Sequence, residues 1–388
     1  MQSFKYKPVI VVVAYNRPGS LERILSSLKR MKNASDVRLV VSIDHKAPHN
    51  YDVLEIAKKF DWPFGEKEVL YQEESLGLRR HIMQCADLSQ EFGSVIILED
   101  DLYVSPYFYQ YACEALDFYD EDPEIAGISL YNQAIEEVTE LPFTPVSDES
   151  DIYFLQHPSS WGQAWTSSQW SRFREWYQTD PDLFKIAMSD PIRRYWPETS
   201  WKKYFCGYMA DKKKFFVFPR ISYTTNFNDP GTNYKKSVNF QGQTPLRLSE
   251  ISCRFKRFSD SYCVYDSHLE LLPECLKQLS SGFDNFEFEL DLYGVKDMAS
   301  LNVPYVITTK PCSSHERGYR RALKPHEMNL IFELPGDDIH LAKKEDVQRV
   351  RNRHSRTIDN FKYYYTRNIL GWKVQMYNYY LKLMERIK

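Results

Sequence analysis

The sequence is poor in glycine and cysteine, and it has no long apolar run. Its 388 residues include only 14 Gly, which argues against collagen-like and flexible low-complexity chains. The 7 Cys are scattered, odd in number and without a CxxC pair, so neither a disulfide framework nor a thiolate metal site is expected. No stretch approaches the roughly 20 apolar residues of a membrane span, and the first residues lack the pattern of a secretory signal. We therefore expect a cytoplasmic protein with reduced thiols.

An excess of either charge is also missing. Lys and Arg number 50 against 53 Asp and Glu, for a formal net charge of −3. A general nucleic-acid binder usually carries a strong basic excess, so no nucleic-acid partner is expected. Aromatic residues are abundant at 15%, which favours a large core over a dedicated sugar-binding surface.

Strand and helix signals alternate over the first ~130 residues. Strands are predicted at residues 9–14, 37–43, 69–71, 95–98 and 125–131. Helices are predicted from Ser20, near 52–60, over 77–88 and over 107–119. This order predicts an α/β fold with a mostly parallel sheet and helices on both faces.

Polar residues follow three of the predicted strands. Arg17 comes after the first strand, Asp44 after the second, and the acidic triplet Glu99, Asp100 and Asp101 after the fourth. Ligands of open α/β sheets bind at the carboxyl ends of the strands. These residues are therefore the candidates for a binding site.

Three adjacent carboxylates at the end of a buried strand repel one another and need a cation or hydrogen-bond donors. Mg²⁺ and Mn²⁺ are hard ions that accept one or two carboxylates together with substrate phosphates. One interpretation of the triplet is a metal–diphosphate site. The other is a helix N-terminus, since Ser105 and Pro106 could begin the next helix and its dipole favours acidic residues.

These residues resemble the GT-A glycosyltransferases, in which an acidic DxD motif after a central strand holds Mn²⁺ on the donor diphosphate. The closest likenesses are the Golgi N-acetylglucosaminyltransferase I family and bacterial family 2-like transferases of capsule and O-antigen synthesis. The resemblance covers roughly residues 8–233. Its segments are 9–18 with an "NRP" turn, 42–44, 98–106 with "EDDLxVxPxF", 161–170 with its tryptophans, and 226–233.

The resemblance implies a GT-A (Rossmann-like) fold and a role for each matching residue. Asp101 is the implied metal ligand for Mn²⁺ or Mg²⁺. The implied contacts to the nucleotide-sugar donor, preferably a UDP-sugar, come from residues Arg17, Asp44, His81, Glu99 and Asp100. His81 has an alternative as a helix-face histidine with local partners.

The acceptor side and the catalytic base are less closely matched. Trp161, Trp165 and Trp201 are expected either as platforms for sugar rings or as core residues. Inverting transfer needs a general base near the acceptor hydroxyl, and Glu198 is the candidate, with Asp211 and Asp229 as competitors.

Two positions depart from the family pattern. Lys202 stands where the family has an Asp, and Asn233 stands where a His is common. Both departures bear on which residue acts as the base.

The C-terminal part changes character. We predict a glycosyltransferase domain over 1–255, with a boundary near 250–262, a small α+β region over 256–342 and a basic amphipathic helical tail over 343–388. After residue 342 there are 12 Lys and Arg against 4 acids, and apolar residues recur at helical spacing. Such a helix can lie on an anionic membrane, here the inner face of the cell membrane, or dock on the protein's own body or a second copy of the chain.

Together the features predict a metal-dependent inverting glycosyltransferase, hexosyl- or N-acetylhexosaminyl-, acting on a glycan or lipid-linked glycan in bacterial surface polysaccharide synthesis. An inactive glycan- or nucleotide-binding module of the same fold is the first alternative, supported by Lys202. A sugar nucleotidyltransferase is the second, but such enzymes usually have a glycine-rich loop after the first strand, and here no glycine occurs before Gly19.

Overall fold

The computed structural model describes residues 4–47, 49–227, 229–230, 242–348, 363–364, 376 and 379–380. The chain divides into two compact units, the first formed by residues 1–134 and 147–269 and the second by residues 135–146 and 270–388. The division falls after Leu269, later than the expected boundary near 250–262, and most of the predicted tail over 343–388 lies outside the described residues.

The first unit contains eleven described strands and eight described α-helices. The strands are β1 (Val9–Ala14), β2 (Leu39–Ile43), β3 (Lys67–Tyr71), β4 (Ser94–Glu99), β5 (Leu102–Val104), β6 (Ile125–Ser129), β7 (Ile152–Leu155), β8 (Gln163–Thr166), β9 (Phe215–Pro219), β10 (Thr224–Asn226) and β11 (Val264–Tyr265). The helices are α1 (Pro18–Leu28), α2 (Tyr51–Lys59), α3 (Gly77–Asp87), α4 (Ser89–Phe92), α5 (Phe108–Tyr119), α6 (Ser167–Gln178), α7 (Asp190–Tyr195) and α8 (Trp201–Lys212).

Nine of these strands form one mixed, mostly parallel sheet in the order β11-β7-β9-β6-β8-β4-β1-β2-β3. β1 lies between β2 and β4 and runs parallel to both, whereas β8 is antiparallel to β4 and to β6. β5 and β10 form a separate antiparallel pair. The predicted α/β class with a mostly parallel sheet is therefore confirmed.

The sequence explains why β1 and β4 lie inside the sheet, each between two other strands. All six residues of β1 are buried, as are the first five of β4, and a strand buried on both faces is expected to be a continuous apolar run. The run of β4 ends at Glu99, so three acids follow directly at the edge of the apolar core.

Two helix starts differ in detail from the sequence prediction. α1 begins at Pro18 rather than at Ser20, because proline suits the first helical turn, where its missing N–H costs nothing. α5 begins at Phe108, with Tyr107 as its N-cap residue. The strand β5 thus separates the acidic triplet from the next helix, which corrects the interpretation of the triplet as a helix N-terminus.

The second unit has its own sheet. Its elements are α9 (Pro273–Leu279), β12 (Phe288–Asp291), β13 (Tyr305–Thr308), β14 (Arg317–Tyr319), α10 (Glu327–Ile331) and β15 (Ile339–Lys343). The strand order is β12-β13-β15-β14, with the first pair parallel and the other two antiparallel. The predicted small α+β region is thus present.

In the part of the chain that the structure describes, no helix has both the length and the apolar character needed to cross a lipid bilayer.

Candidate active site at the ends of three parallel strands

The carboxyl ends of β1, β2 and β4 bring the predicted donor-site residues to one edge of the sheet. The register pairs Val13 of β1 with Glu99 of β4. The backbone N–H of Asp100 donates to the Val13 carbonyl at 3.1 Å, and that of Phe227 donates to the Asp101 carbonyl at 2.9 Å. The acidic turn is therefore held by main-chain hydrogen bonds from both sides, and its side chains remain available for other contacts.

Arg17 bridges the two aspartates. Its Nη1 lies 3.0 Å from Asp101 Oδ2, and its Nη2 forms an ion pair with Asp100 Oδ1. Burial opposes the charge of the guanidinium, but Asp100 and Asp101 raise its pKa above the usual value. Arg17 thus offsets part of the negative charge of the acidic turn. The structure brings this residue, which follows β1, together with Asp100 and Asp101, which follow β4.

Arg17 does not satisfy the whole cluster. Asp100 Oδ2 and Asp101 Oδ1 are buried and have no hydrogen-bond partner among the described residues. A buried carboxylate oxygen without a partner costs free energy, ~1–3 kcal/mol or more for a charged group. The unmet oxygens suit a hard divalent cation, which accepts carboxylate ligands and would repay this cost.

The carboxylates of the turn also perturb one another. Burial, followed by repulsion from Asp101 and Asp100, raises the pKa of Glu99 to about 8, although Arg17 and Lys202 oppose the shift. Burial likewise raises the pKa of Asp100 to about 6, against the effect of Arg17. Burial and mutual repulsion thus disfavour ionisation of Glu99 and Asp100 together, and a bound cation would relieve this repulsion.

A second ion pair lies beside the first and was not predicted as such. Ser20 Oγ donates to Asp229 Oδ2 at 2.7 Å, and Arg23 forms an ion pair with the same oxygen. Arg23 also lies over the ring of Phe227, 4.0 Å from its centroid. Arg17, Ser20 and Arg23 recur every third residue at the start of α1, and this spacing was the available sequence signal for a polar helix face.

Asp44 follows β2 and is buried, with 5% relative exposure. Its carboxylate accepts hydrogen bonds from the backbone N–H groups of His45 at 2.9 Å, Leu76 at 2.8 Å and Gly77 at 3.0 Å. The side chain thus fixes the turn at which α3 begins. Its predicted contact with the nucleotide base stays a prediction.

His81 is buried on α3, and its Nε2 lies 2.7 Å from Ser42 Oγ. Burial lowers the pKa of its imidazole, with Asp44 opposing the shift. A neutral histidine with a local partner matches the helix-face alternative for His81, and its predicted role at the donor stays untested.

Glu198 lies just before α8 with 69% of its side chain exposed. Its Oε1 is 2.5 Å from Lys203 Nζ, and Tyr204 donates its hydroxyl hydrogen to Oε2. The hydrogen bonds from Lys203 and Tyr204 lower the pKa of Glu198. These contacts make the carboxylate a weaker base than a free one.

The three tryptophans of the predicted acceptor side differ in burial. Trp165 and Trp201 are 0% and 2% exposed, and their ring centroids lie 5.9 Å apart in a cluster of core aromatic rings. Their burial matches the core alternative for these two residues. Trp161 is half-buried, packs edge-to-face on Tyr131 at 4.8 Å, and accepts a hydrogen bond from Thr224 on β10 at its carbonyl. Trp161 therefore remains the candidate platform.

Asp211 and Asn233 are the remaining residues that bear on the catalytic base. Asp211 accepts a hydrogen bond from Trp176 Nε1 at 2.9 Å and pairs with Lys212, which ties it to α6 and α8. Asn233 lies outside the described residues, as does half of the matching segment 226–233.

Comparisons with known proteins agree with this picture at the level of enzyme class. No protein-family model matches the chain. An alpha-1,3-mannosyl-glycoprotein 2-beta-N-acetylglucosaminyltransferase from Arabidopsis thaliana is 22% identical over 286 residues, which are 69% of this chain and 57% of that protein. The match thus spans little more than half the length of the relative.

Solved structures with some likeness to the chain include TarS and GalNAc-T7. Residues 1–349 of TarS from S. aureus align with a TM-score of 0.34 and 12% identity, covering 56% of this chain and 59% of that one. GalNAc-T7 with UDP, GalNAc and Mn²⁺ aligns with a TM-score of 0.36 and 13% identity, covering 56% and 43%.

The relative from Arabidopsis thaliana is an N-acetylglucosaminyltransferase, and its match covers 69% of this chain. The resemblance that the motifs predicted is confirmed: over most of its length the chain is similar to a glycosyltransferase.

Proposed function

We propose that the chain is a metal-dependent inverting glycosyltransferase that moves a hexosyl or N-acetylhexosaminyl group from a UDP-sugar to a glycan or lipid-linked glycan of a bacterial surface polysaccharide. The observation that carries the proposal is the acidic turn after β4. It presents two buried carboxylate oxygens, on Asp100 and Asp101, that have no hydrogen-bond partner in the described part of the chain and lie beside a charged arginine.

The donor set of this turn fits Mn²⁺ or Mg²⁺. Both unmet atoms are carboxylate oxygens, the ligand type that these ions prefer. We assign Asp101 as the direct ligand, with Glu99 and Asp100 contacting the donor sugar and ribose. When bound, the ion would offset charge on the diphosphate leaving group.

Arg17 contributes a second positive charge at the same place. A guanidinium is planar and always charged, and its donors match phosphate oxygens as well as they match carboxylates. In the structure these donors hold Asp100 and Asp101. We propose that, when the donor binds, Arg17 donates some of its hydrogen bonds to the donor diphosphate in place of Asp100 and Asp101. The carboxylates are then available for other ligands.

The base of the reaction is proposed to be a carboxylate near the acceptor hydroxyl. Glu198 is the first candidate, and it must part from Lys203 and Tyr204 to accept a proton. Asp229 is the competitor, because its charge acts on Asp100 and thus lies at the acidic turn. Comparing Glu198→Gln with Asp229→Asn assigns the role, since loss of a general base typically costs ~10²–10⁴-fold in rate.

One observation favours a second candidate function, a glycan- or nucleotide-binding module without catalysis. Lys202 occupies the position at which the family has an Asp, and its charge acts on Glu99. A module of this kind binds a ligand without breaking the sugar–phosphate bond.

The placement of the protein in the cell is part of the proposal. A basic tail beyond residue 342 supports peripheral attachment to the inner face of the cell membrane. In a flotation assay with anionic liposomes, we expect deletion of residues 360–388 to abolish binding; unaltered binding would exclude this attachment.

The test of function is a thermal-shift panel of nucleotides with and without Mn²⁺, followed by a donor-hydrolysis assay. We expect UDP to raise the melting temperature only when Mn²⁺ is present, and UDP-sugar to be hydrolysed. Stabilisation by a glycan without any nucleotide effect supports the binding module instead. Metal-independent stabilisation by UDP contradicts the assigned role of Asp101.

A further inference from the structure

A group of metal-ligating side chains lies in the second unit, separate in sequence from the acidic turn. His315 precedes β14, Asp337 lies in the turn before β15, and His340 is the second residue of β15. One ligand atom from each of the three residues lies within 4.8 Å of the others. Two imidazoles and a carboxylate form a ligand set that suits Zn²⁺ better than Mg²⁺.

The two ring nitrogens of His340 both face hydrogen-bond acceptors. Nδ1 lies 3.3 Å from the carbonyl oxygen of Lys310, and Nε2 lies 3.0 Å from Asp337 Oδ1. A neutral imidazole donates through one nitrogen only. If Nδ1–H donates to the carbonyl, the lone pair of Nε2 faces a carboxylate, and either a proton or a metal ion must lie between them.

The position of His315 favours a metal ion over a proton between His340 and Asp337. Its Nε2 lies 3.9 Å from the same oxygen of Asp337, and its ring centroid is 4.8 Å from that of His340. A proton shared by His340 and Asp337 needs no second imidazole. A metal ion uses both, and the carbonyl of Lys310 then fixes the tautomer of His340, as backbone carbonyls do at many metal-bound histidines.

Glycine makes the room for this arrangement. Gly318 of β14 lies opposite His340 of β15. A Cβ atom at Gly318 would lie 2.4 Å from the Gly336 carbonyl oxygen and 3.2 Å from His315 Nε2. The missing side chain thus lets the turn that carries Asp337 approach β14 and leaves space for the ring of His315.

We propose that His315, Asp337 and His340 bind one Zn²⁺ ion, or a similar divalent transition-metal ion, that fastens the segment before β14 to β15. Asp337 and His315 are accessible from solvent, with 83% and 36% of their side chains exposed, so an ion can enter directly. The three protein ligands leave a coordination position for water. The proposal is independent of the glycosyltransferase activity, which uses a different ligand set.

The test is a Zn²⁺ titration of the full, untagged chain after treatment with EDTA, read by competition with a chromophoric chelator. The Asp101→Asn variant serves as the background, because it removes the proposed metal ligand of the first unit. We expect one ion per chain, and at least a tenfold weaker affinity in His340→Gln and in His315→Gln, since even loss of an outer-shell partner costs roughly 10–100-fold.

Co²⁺ absorption provides a second readout of metal binding at this site. Co²⁺ added in place of Zn²⁺ is expected to give a visible absorption band that both histidine variants lose. His315→Gln is the safer variant, because its exposed side chain leaves the fold intact if His340→Gln does not. Equal Zn²⁺ affinity in the background protein and in His315→Gln, or no binding in either, overturns the proposal and leaves a simple ion pair between His340 and Asp337.

Discussion

Aspartates lie at two strand ends of the same sheet, and they differ in how their carboxylate oxygens are hydrogen-bonded. At the end of β2, Asp44 accepts three hydrogen bonds from backbone N–H groups. At the end of β4, Asp100 and Asp101 each keep a buried oxygen without a partner among the described residues. Both sites follow a strand, but Asp44 is a single acid, whereas Asp100 and Asp101 belong to a run of three acids.

This difference in hydrogen bonding indicates which carboxylate stabilises the fold and which is available for a ligand. A carboxylate that accepts several backbone hydrogen bonds is already stabilised in its charged form. One that lacks partners in a buried position gains most from a cation. We therefore assign Asp44 chiefly to the turn before α3, and the pair after β4 to ligand binding.

The largest expected effect comes from Asp101→Asn. Removing a preorganised electrostatic contact of this kind typically costs ~10²–10³-fold in rate, and we expect such a loss in donor hydrolysis or transfer with Mn²⁺ present. The melting temperature in EDTA should change little, because the lost ion pair with Arg17 is offset by weaker repulsion of Glu99. Activity equal to that of the unmodified protein would falsify the metal role of Asp101.

Arg17→Met tests how much the ion pairs of Arg17 with Asp100 and Asp101 stabilise the protein. Without Arg17 the two aspartates repel each other inside the protein, and breaking a buried ion pair costs about 3–5 kcal/mol. We expect a loss near the lower end of that range in EDTA, since 21% of the Arg17 side chain is exposed. Urea unfolding measures it, and added Mn²⁺ should restore part of the stability. No change in unfolding contradicts the pairing.

Asp44→Ala tests the structural aspartate. Two backbone N–H groups of the turn at Leu76 and Gly77 lose their acceptor, and an unsatisfied buried group costs about 1–3 kcal/mol. We expect the unfolding free energy to fall by about this amount, with the maximal rate retained below the unfolding transition. A rise in the KM for a UDP-sugar without loss of stability would instead assign Asp44 to the nucleotide base.

The smallest expected effect is a pH dependence near β2. The pKa of His81 is lowered in the folded protein, so the unfolded chain binds the proton more readily, and stability is lost as the pH falls below about 6.5, the ordinary histidine pKa. In His81→Gln this part of the acid sensitivity should disappear. Unfolding midpoints between about pH 7.5 and 5 measure it, with the unmodified protein as the control that retains the histidine.

Much of the fold and the centre of the site could be predicted from the sequence. The continuous apolar runs of β1 and β4 identify buried parallel strands, and the rule that ligands bind at strand ends brings Arg17 to Asp100 and Asp101. The partners of Asp44 could not be predicted, because Leu76 and Gly77 reach it through the turn after β3. The burial of Trp165 and Trp201 depends on aromatic neighbours from α6, α8 and β9, which local patterns do not reveal.

The ion pair of Arg23 with Asp229 is a similar case. Its two residues lie far apart in the sequence, and only the approach of the segment after β10 to α1 unites them. Contacts of this kind depend on tertiary packing, whereas the acidic turn is defined by three consecutive residues.

The central claim is that the acidic turn after β4 binds a divalent ion together with a nucleotide diphosphate. Electron paramagnetic resonance of Mn²⁺, titrated into the protein with and without UDP, tests it most directly. We predict one bound ion whose affinity rises with UDP, and loss of that ion in Asp101→Asn. Equal, UDP-independent Mn²⁺ binding in both proteins would contradict the account.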